Sequence, residues 1–433
     1  MAVAWISPVM VKLSNSADTV LSRPITPEEG SWLASATIIC AFFVNALAAY
    51  LAEHWGRKKS IVISFLPKIT ACILYIVATE FWMLLLSRVF DGIAESMVCV
   101  TVPMYAAEVA NRENRGALGA ILQIYASFGV VLMLCIGPYV SYANLNIAYL
   151  CISVLAFVPT IFLPDSPYFL FSKGRIDECQ RTLTFLRGSE SLAKEEIKEY
   201  STNNNRKIDM KLLLRNKIFL KTILIITVLG IGLQSIGYNA VTFYLQTILE
   251  TSNTSIKSEI ASVIMGFVQL SAAFCAQMIT DRFGRKIILI TTLFGMCLGL
   301  IGLGIFFKIK DDGHPIEGFL NYLPLISLIL FIFCYSAGLG STFWIIVPEL
   351  LEGPTRAVGV TVALTTTTLS TFVTTKYFVY MNNYLQPATT YWIFAGICVV
   401  YCLFIIVCVP ETKQKSFGEI QKALGAKIVE AES

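Results

Sequence analysis

Charge is the scarcest property of this 433-residue chain: Asp, Glu, Lys and Arg make up 14% of it, against 56% hydrophobic residues. A soluble globular domain carries about 25% charged residues. That shortage excludes an ordinary cytosolic enzyme, a disordered chain and a nucleic-acid binder. Histidine is almost missing, with His54 and His314 the whole supply, and no two of the twelve cysteines form a Cys-x-x-Cys pair. Most cysteines sit inside apolar runs, as Cys40, Cys72, Cys135 and Cys398 do, where they act as small core hydrophobes rather than metal ligands or a disulfide framework. There is no phosphate-binding glycine loop and no nucleophile–histidine–acid constellation. No metal, no cofactor and no enzymatic chemistry are expected, and a nucleotide-driven pump is excluded.

Long apolar runs are what the chain has instead. A helix needs about 20 predominantly apolar residues to cross the hydrocarbon core of a bilayer. Eleven runs qualify, beginning near Trp32, Ile61, Phe81, Ala117, Tyr142, Phe219, Ala261, Ile287, Leu320, Val358 and Ala388. Residues 1–13 are apolar but would make a helix of only about 18–20 Å, and are expected to be part of a first span that begins upstream. The chain is thus an all-α polytopic membrane protein with the lipid bilayer as its solvent.

Basic residues orient it. On this segmentation 25 of the 33 Lys and Arg fall on one side, including Arg57 to Lys59, Arg285, Lys286 and the stretch from Lys173 to Lys217. That side is expected to be cytoplasmic. The glycosylation sequon Asn253-Thr254-Ser255 then falls outside, where Asn253 can be modified. A polar stretch at 166–216 reads as a cytoplasmic linker with short amphipathic helices. It separates an N-terminal six-helix bundle at 1–165 from a C-terminal one at 217–410, with a cytoplasmic tail at 411–433.

The two halves repeat one another. Glu53-His-Trp-Gly-Arg-Lys-Lys59 comes after the second span and Asp281-Arg-Phe-Gly-Arg-Lys286 after the eighth, with Gly56 and Gly284 228 residues apart. Glu108 precedes Arg115, and Glu349 precedes Arg356, by seven residues each. Pro164-Asp-Ser-Pro167 closes the first half as Pro410-Glu-Thr-Lys413 closes the second. A common offset of about half the chain marks two homologous bundles.

With Pro103-x-Tyr105-x-x-Glu108 and Gln234-Ser-x-Gly237-x-Asn239 in order between them, these motifs resemble the sugar porter family of the major facilitator superfamily. That family includes the glucose facilitators and the insect trehalose transporters. The resemblance covers nearly the whole chain, from Ala4-Trp-Ile-Ser-Pro8 to Val409-Pro-Glu-Thr-Lys413. It implies the major facilitator fold of two pseudo-symmetric six-helix bundles, and sugar transport by alternating access in the plasma membrane. It also implies sugar contacts at Gln123, Gln234, Asn239 and Trp344, with Gln269 in place of the usual Asn on span eight, and an outer gate at Phe243 and Tyr244. Departures include Leu233 for the first Gln of a pair, Ser336 for a span-ten Glu, Thr365 to Thr368 for an Asn-Trp pair, and Tyr168 where the family has Arg.

The charged motifs suit a latch at the cytoplasmic mouth: Arg57, Lys58, Arg115, Arg285, Lys286 and Arg356 against Glu108, Asp165, Asp281 and Glu349. Exposed pairs contribute about 0.2–1 kcal/mol each, so several together match a two-state rocker. The alternative is that these cations only obey the positive-inside bias. A second cluster lies within span four, where Arg88, Asp91 and Glu95 at i, i+3 and i+7 share a face, with Lys68 at similar depth on span three. Intramembrane ionisable groups are costly and functional by default. Here they admit two readings: proton coupling through Asp91 and Glu95, or a neutralised set of two cations and two carboxylates. The function expected is facilitative transport of a hexose or trehalose. A proton-coupled carrier of a polyol or other organic solute, and a transport-dead sugar sensor, are the alternatives. The sequence specifies no oligomeric state.

Overall fold

The computed structural model describes residues 2–16, 19–111, 115–203, 215–252, 256–351, 355–415 and 417–425. Every described element is helical. The chain divides into two compact units, residues 1–126 with 139–207, and residues 127–138 with 208–433.

The first unit contains α1 (Ala2–Ser14), α2 (Pro27–His54), α3 (Arg57–Val77), α4 (Phe81–Val109), the first part of α5 (Arg115–Ile136) and α6 (Tyr142–Ile161), and then α7 (Pro167–Ser172), α8 (Ile176–Arg187) and α9 (Glu190–Asn203). Local chemistry sets the helix starts. Thr26 and Glu29 form a reciprocal capping box with Pro27 in the first turn of α2, satisfying two otherwise orphaned N–H groups. Arg23 grips the same Glu29 carboxylate at 2.6 and 2.8 Å. The turn between α2 and α3 is made by Gly56 at φ +98°, a region closed to most side chains. A Cβ there would also lie 2.7 Å from the Phe169 ring. The linker helices build a small core of their own from Leu170, Cys179, Leu183 and Ala193. Arg187 fastens it to the end of α4 by donating to the Val109 carbonyl at 2.8 Å while pairing with Glu196.

In the second unit, span seven is broken into α10 (Lys217–Ser235) and α11 (Tyr238–Phe243) by Gly237 at φ +86°, with α12 (Leu245–Ser252) after it. Next come α13 (Ser258–Arg282) and α14 (Arg285–Asp311). Span ten consists of α15 (Leu323–Cys334), a π turn at Tyr335–Leu339 and α16 (Gly340–Glu349). The last two spans lie within α17 (Thr355–Cys408), two helices that meet at a kink where Gln386 (φ +66°) is non-helical, before Pro387. Proline supplies no N–H and disfavours a helical residue before it, so the helix cannot run through. The tail helix α18 (Phe417–Ala423) closes the described chain.

All eleven expected runs are helices, yet eight helices among the described residues are long and apolar enough to cross a membrane. The difference has three causes. One of the eight, Val358–Cys408, holds two spans; α4 carries Arg88, Asp91, Glu95 and Glu108; and of α5 only Ile124–Ile136 is described side chain by side chain, too short a piece to be counted.

Candidate functional site

The two Gly-Arg-Lys loops carry one device built twice. In the first unit Arg57, itself buried, places Nη2 at 2.9 Å and Nε at 3.1 Å from Glu108 Oε1, and Nη1 at 3.1 Å from the Ala52 carbonyl. Ser166 donates its hydroxyl to the other oxygen of Glu108, and Tyr105 donates to the Pro164 carbonyl at 3.0 Å. In the second unit Arg285 places Nη2 at 3.0 Å from Glu349 Oε1 and Nη1 at 3.1 Å from the Thr280 carbonyl. Thr412 donates to the other oxygen of Glu349 at 2.5 Å. In both, one guanidinium joins a carboxylate to the carbonyl five residues back, at the C-terminus of the preceding helix. Those carbonyls carry the negative end of the helix dipole, so the cations of the Gly-Arg-Lys loops also cap the helices ending there. Lys413 on the Arg282 carbonyl and Lys286 on the Ile406 carbonyl, both at 2.6 Å, do the same.

The copies differ at the acid of the closing motif. Glu411 accepts four backbone N–H groups, from Arg285, Lys286, Thr412 and Lys413, at 2.9 to 3.1 Å. Burial pushes its carboxyl up, but those donors outweigh it and hold it below the usual carboxylate range. Asp165, one methylene shorter, is half-buried and makes no side-chain hydrogen bond or ion pair among the described residues. Where the family's Arg is replaced by Tyr168, the Arg57 guanidinium instead lies 5.9 Å from the Tyr168 ring centre and 5.8 Å from that of Phe169, within cation–π range. Lys58 is half-buried and has no such partner among the described residues, and Lys286 has a carbonyl rather than a carboxylate. The side chains of Arg115, Gln123, Asp281 and Arg356, and residue Asn253, lie outside the described part of the structure.

The intramembrane charges of the first unit converge on Asp91, which is fully buried. Lys68 reaches Asp91 Oδ1 at 2.5 Å, Arg88 reaches Oδ2 at 3.6 Å, and the Tyr75 hydroxyl donates to Oδ2 at 3.4 Å. Lys68 also donates to the Tyr149 hydroxyl, and Arg88 Nε donates to the Leu33 carbonyl at 2.9 Å. Trp5 of α1 stacks on Tyr75 at 4.1 Å, lies 5.6 Å from the Arg88 guanidinium, and donates its indole N–H to Asn146 at 2.8 Å. Glu95 is half-buried and has no hydrogen bond among the described residues. Tyr75 and Tyr149 are the members hardest to find from sequence: their signal is only that each is a polar tip within an apolar run.

In the second unit the break at Gly237 brings Gln234 and Asn239 together. The Asn239 amide donates to Gln234 Oε1 at 2.6 Å and lies 3.5 Å from the Thr371 hydroxyl. A continuous helix would put residues five apart about 140° out of register around its axis; the left-handed glycine is what allows the contact. Trp344 on α16 is exposed and sits edge-on to Phe343 at 5.0 Å. Phe243 and Tyr244 are buried, Tyr244 against Phe378 at 5.3 Å. Gln269 on α13 is half-buried and unbonded among the described residues. Thr365 to Thr368 each return their hydroxyl to the carbonyl four residues back at 2.7 to 2.9 Å, so their polarity is spent inside their own helix.

Against known proteins, residues 4–424 match the family described as sugar (and other) transporter. The chain is 28% identical over 436 residues to the facilitated trehalose transporter Tret1 of Polypedilum vanderplanki, covering 99% of this chain and 85% of that protein. It is 30% identical to the Tret1 of Bombyx mori, covering 97% and 83%. It spans about half the length of the Anopheles gambiae Tret1, covering 54% of it at 29% identity. Among solved structures, the inward-open conformation of the xylose transporter XylE from E. coli matches with a TM-score of 0.79 at 20% identity, over 98% of this chain and 96% of that one. The duplicated Arg–Glu device, the broken seventh span and these matches agree that this multi-pass membrane protein belongs to the sugar (and other) transporter family of the major facilitator fold.

Proposed function

We propose that the chain is a facilitated sugar carrier of the plasma membrane, moving a hexose or trehalose down its gradient by alternating access. The observation that carries this is the Gln234–Asn239 pair at the break in span seven. With Gln234 Oε1 accepting from Asn239 and a Gln234 amide N–H turned to the Tyr335 hydroxyl, the pair keeps a second N–H donor on Gln234 and a carbonyl acceptor on Asn239. A solute covered in hydroxyls needs both kinds of group. Trp344 supplies the flat apolar surface that a sugar ring stacks on. The names of the Tret1 relatives support trehalose as the first solute to try.

Facilitated rather than coupled transport is favoured by the charge balance around Asp91. Lys68 and Arg88 match Asp91 and Glu95 in number, and Asp91 is held by three side chains. The set is neutral without taking up a proton. Proton coupling would instead rest on Glu95, the member without a hydrogen bond among the described residues. At the cytoplasmic face, the Arg57–Glu108 and Arg285–Glu349 devices are proposed to act as the latch, stabilising one of two conformations by a few kcal/mol.

Counterflow tests the carrier directly. The protein is reconstituted into vesicles loaded with unlabelled trehalose or glucose, and labelled sugar is added outside. Transient accumulation of label with at least one sugar is expected. Silence with both would leave the chain as a sensor rather than a carrier.

A further inference from the structure

The two broken spans of the second unit are bolted to each other by a pair of tyrosines. Tyr238 is the first residue after the break at Gly237 and the neighbour of Asn239. Its buried ring lies flat on that of Tyr335, with centroids 3.4 Å apart and planes at 8°. Its hydroxyl is 3.4 Å from Ser336 Oγ, and Phe331 flanks it at 6.2 Å. Tyr335 and Ser336 open the π turn that interrupts span ten ahead of Trp344. Such a turn inserts a residue into the helix and redirects the segment beyond it, and is frequent at functional sites. The Tyr238 ring thus ties the irregular point of one helix to the irregular point of the other, with the amide pair on one side and the segment leading to Trp344 on the other.

We infer that Tyr238 is a positioning residue that sets the solute selectivity of the carrier. It does so by fixing, through Tyr335, where Asn239 stands relative to span ten. This rests on the reading that Gln234, Asn239 and Trp344 hold the sugar. Tyr238 need not touch the solute: flat aromatic contact carries its effect, and the hydroxyl contact with Ser336 adds orientation. A monosaccharide and a disaccharide fill the span between Asn239 and Trp344 differently, so loosening the stack changes their half-saturation constants unequally.

The test is a double-mutant cycle in proteoliposomes with glucose and trehalose as probes. Tyr238→Phe keeps the stack and is expected to stay within about twofold of wild type for both sugars. Tyr238→Leu is expected to raise the half-saturation constant about fivefold, the size of one aromatic pair, and to alter the glucose-to-trehalose ratio. Tyr238→Leu/Tyr335→Leu should fall short of the product of the two single effects, because both remove the same ring stack. If Tyr238→Leu does not reconstitute, Tyr238→His, a shorter flat ring, carries the comparison. Unchanged constants and ratio in a monodisperse Tyr238→Leu protein, or single effects that multiply in the double variant, overturn the assignment while leaving the carrier intact. A wild type that moves neither sugar overturns the carrier and this assignment together.

Discussion

Arg285 pairs with Glu349 at 3.0 Å while closing the end of its preceding helix on the Thr280 carbonyl, and 228 residues earlier Arg57 does both to Glu108 and Ala52. The two copies share chemistry but not burial. Side-chain exposure is 5% and 15% for Arg57 and Glu108, against 15% and 28% for Arg285 and Glu349. Removing one partner of a desolvated pair leaves an uncompensated charge and costs about 3–5 kcal/mol, whereas a solvent-screened pair is worth about 1 kcal/mol or less. Glu108→Gln should therefore lower the melting temperature in detergent clearly more than Glu349→Gln. Equal losses would show that the difference in burial has no energetic weight.

Glu411 gives the second copy a component the first lacks. Its carboxyl is held below the ordinary value of 4.5, so its stabilisation is complete at neutral pH and is lost as the pH falls through that lowered value. Glu411→Gln should cost about 1 kcal/mol at pH 7, typical of a helix N-terminal cap. It should also flatten the acid limb of the stability-against-pH curve. Asp165→Asn, with no equivalent bonds, should leave the stability at pH 7 unchanged; thermal unfolding, run from pH 3 to 7 for the Glu411 variant, measures both.

Around Asp91 the charges balance two against two. Asp91→Asn strands Lys68 and Arg88 with only Glu95 and should destabilise by about 3 kcal/mol or more. Lys68→Met/Asp91→Asn restores balance, one cation to one carboxylate, and should be more stable than the Asp91→Asn single variant. A double variant as unstable as the sum of its singles would mean that Lys68 and Asp91 act independently.

The amide pair should be the most sensitive point for solute. Gln234→Leu leaves Asn239 only the 3.5 Å contact with the Thr371 hydroxyl and removes the hydroxyl-binding N–H of Gln234. Half-saturation for sugar is expected to rise at least about tenfold, the equivalent of about 1.4 kcal/mol. Thr366→Val, whose hydroxyl is bonded within its own helix, should transport like wild type. Counterflow on both variants decides this.

The reach of sequence reading here is set by what periodicity and repetition record. Apolar runs mark all eleven spans, because lipid demands length and apolarity of every one. The Gly-Arg-Lys loops, Glu108 and Glu349 are legible because the duplication prints them twice. Gln234 and Asn239 can be named, but their contact cannot, since five residues of regular helix separate two side chains and only the backbone at Gly237 reverses that. Thr365 to Thr368, which stand where the family has an Asn-Trp pair, bond within their own helix. Glu411 stands in the closing motif that matches Asp165, but its four backbone partners cannot be read there; Tyr75 and Tyr238 give no such signal, because each acts through a partner distant in sequence, Asp91 at 16 residues and Ser336 at 98.

The most direct measurement is the plateau of labelled trehalose and glucose uptake into proteoliposomes, with and without an acid-outside pH gradient. A facilitated carrier brings at least one sugar to equal concentration inside and out, at the same plateau in both conditions. Accumulation above equality that requires the gradient and disappears in Glu95→Gln would contradict facilitated transport and make Glu95 the coupling acid.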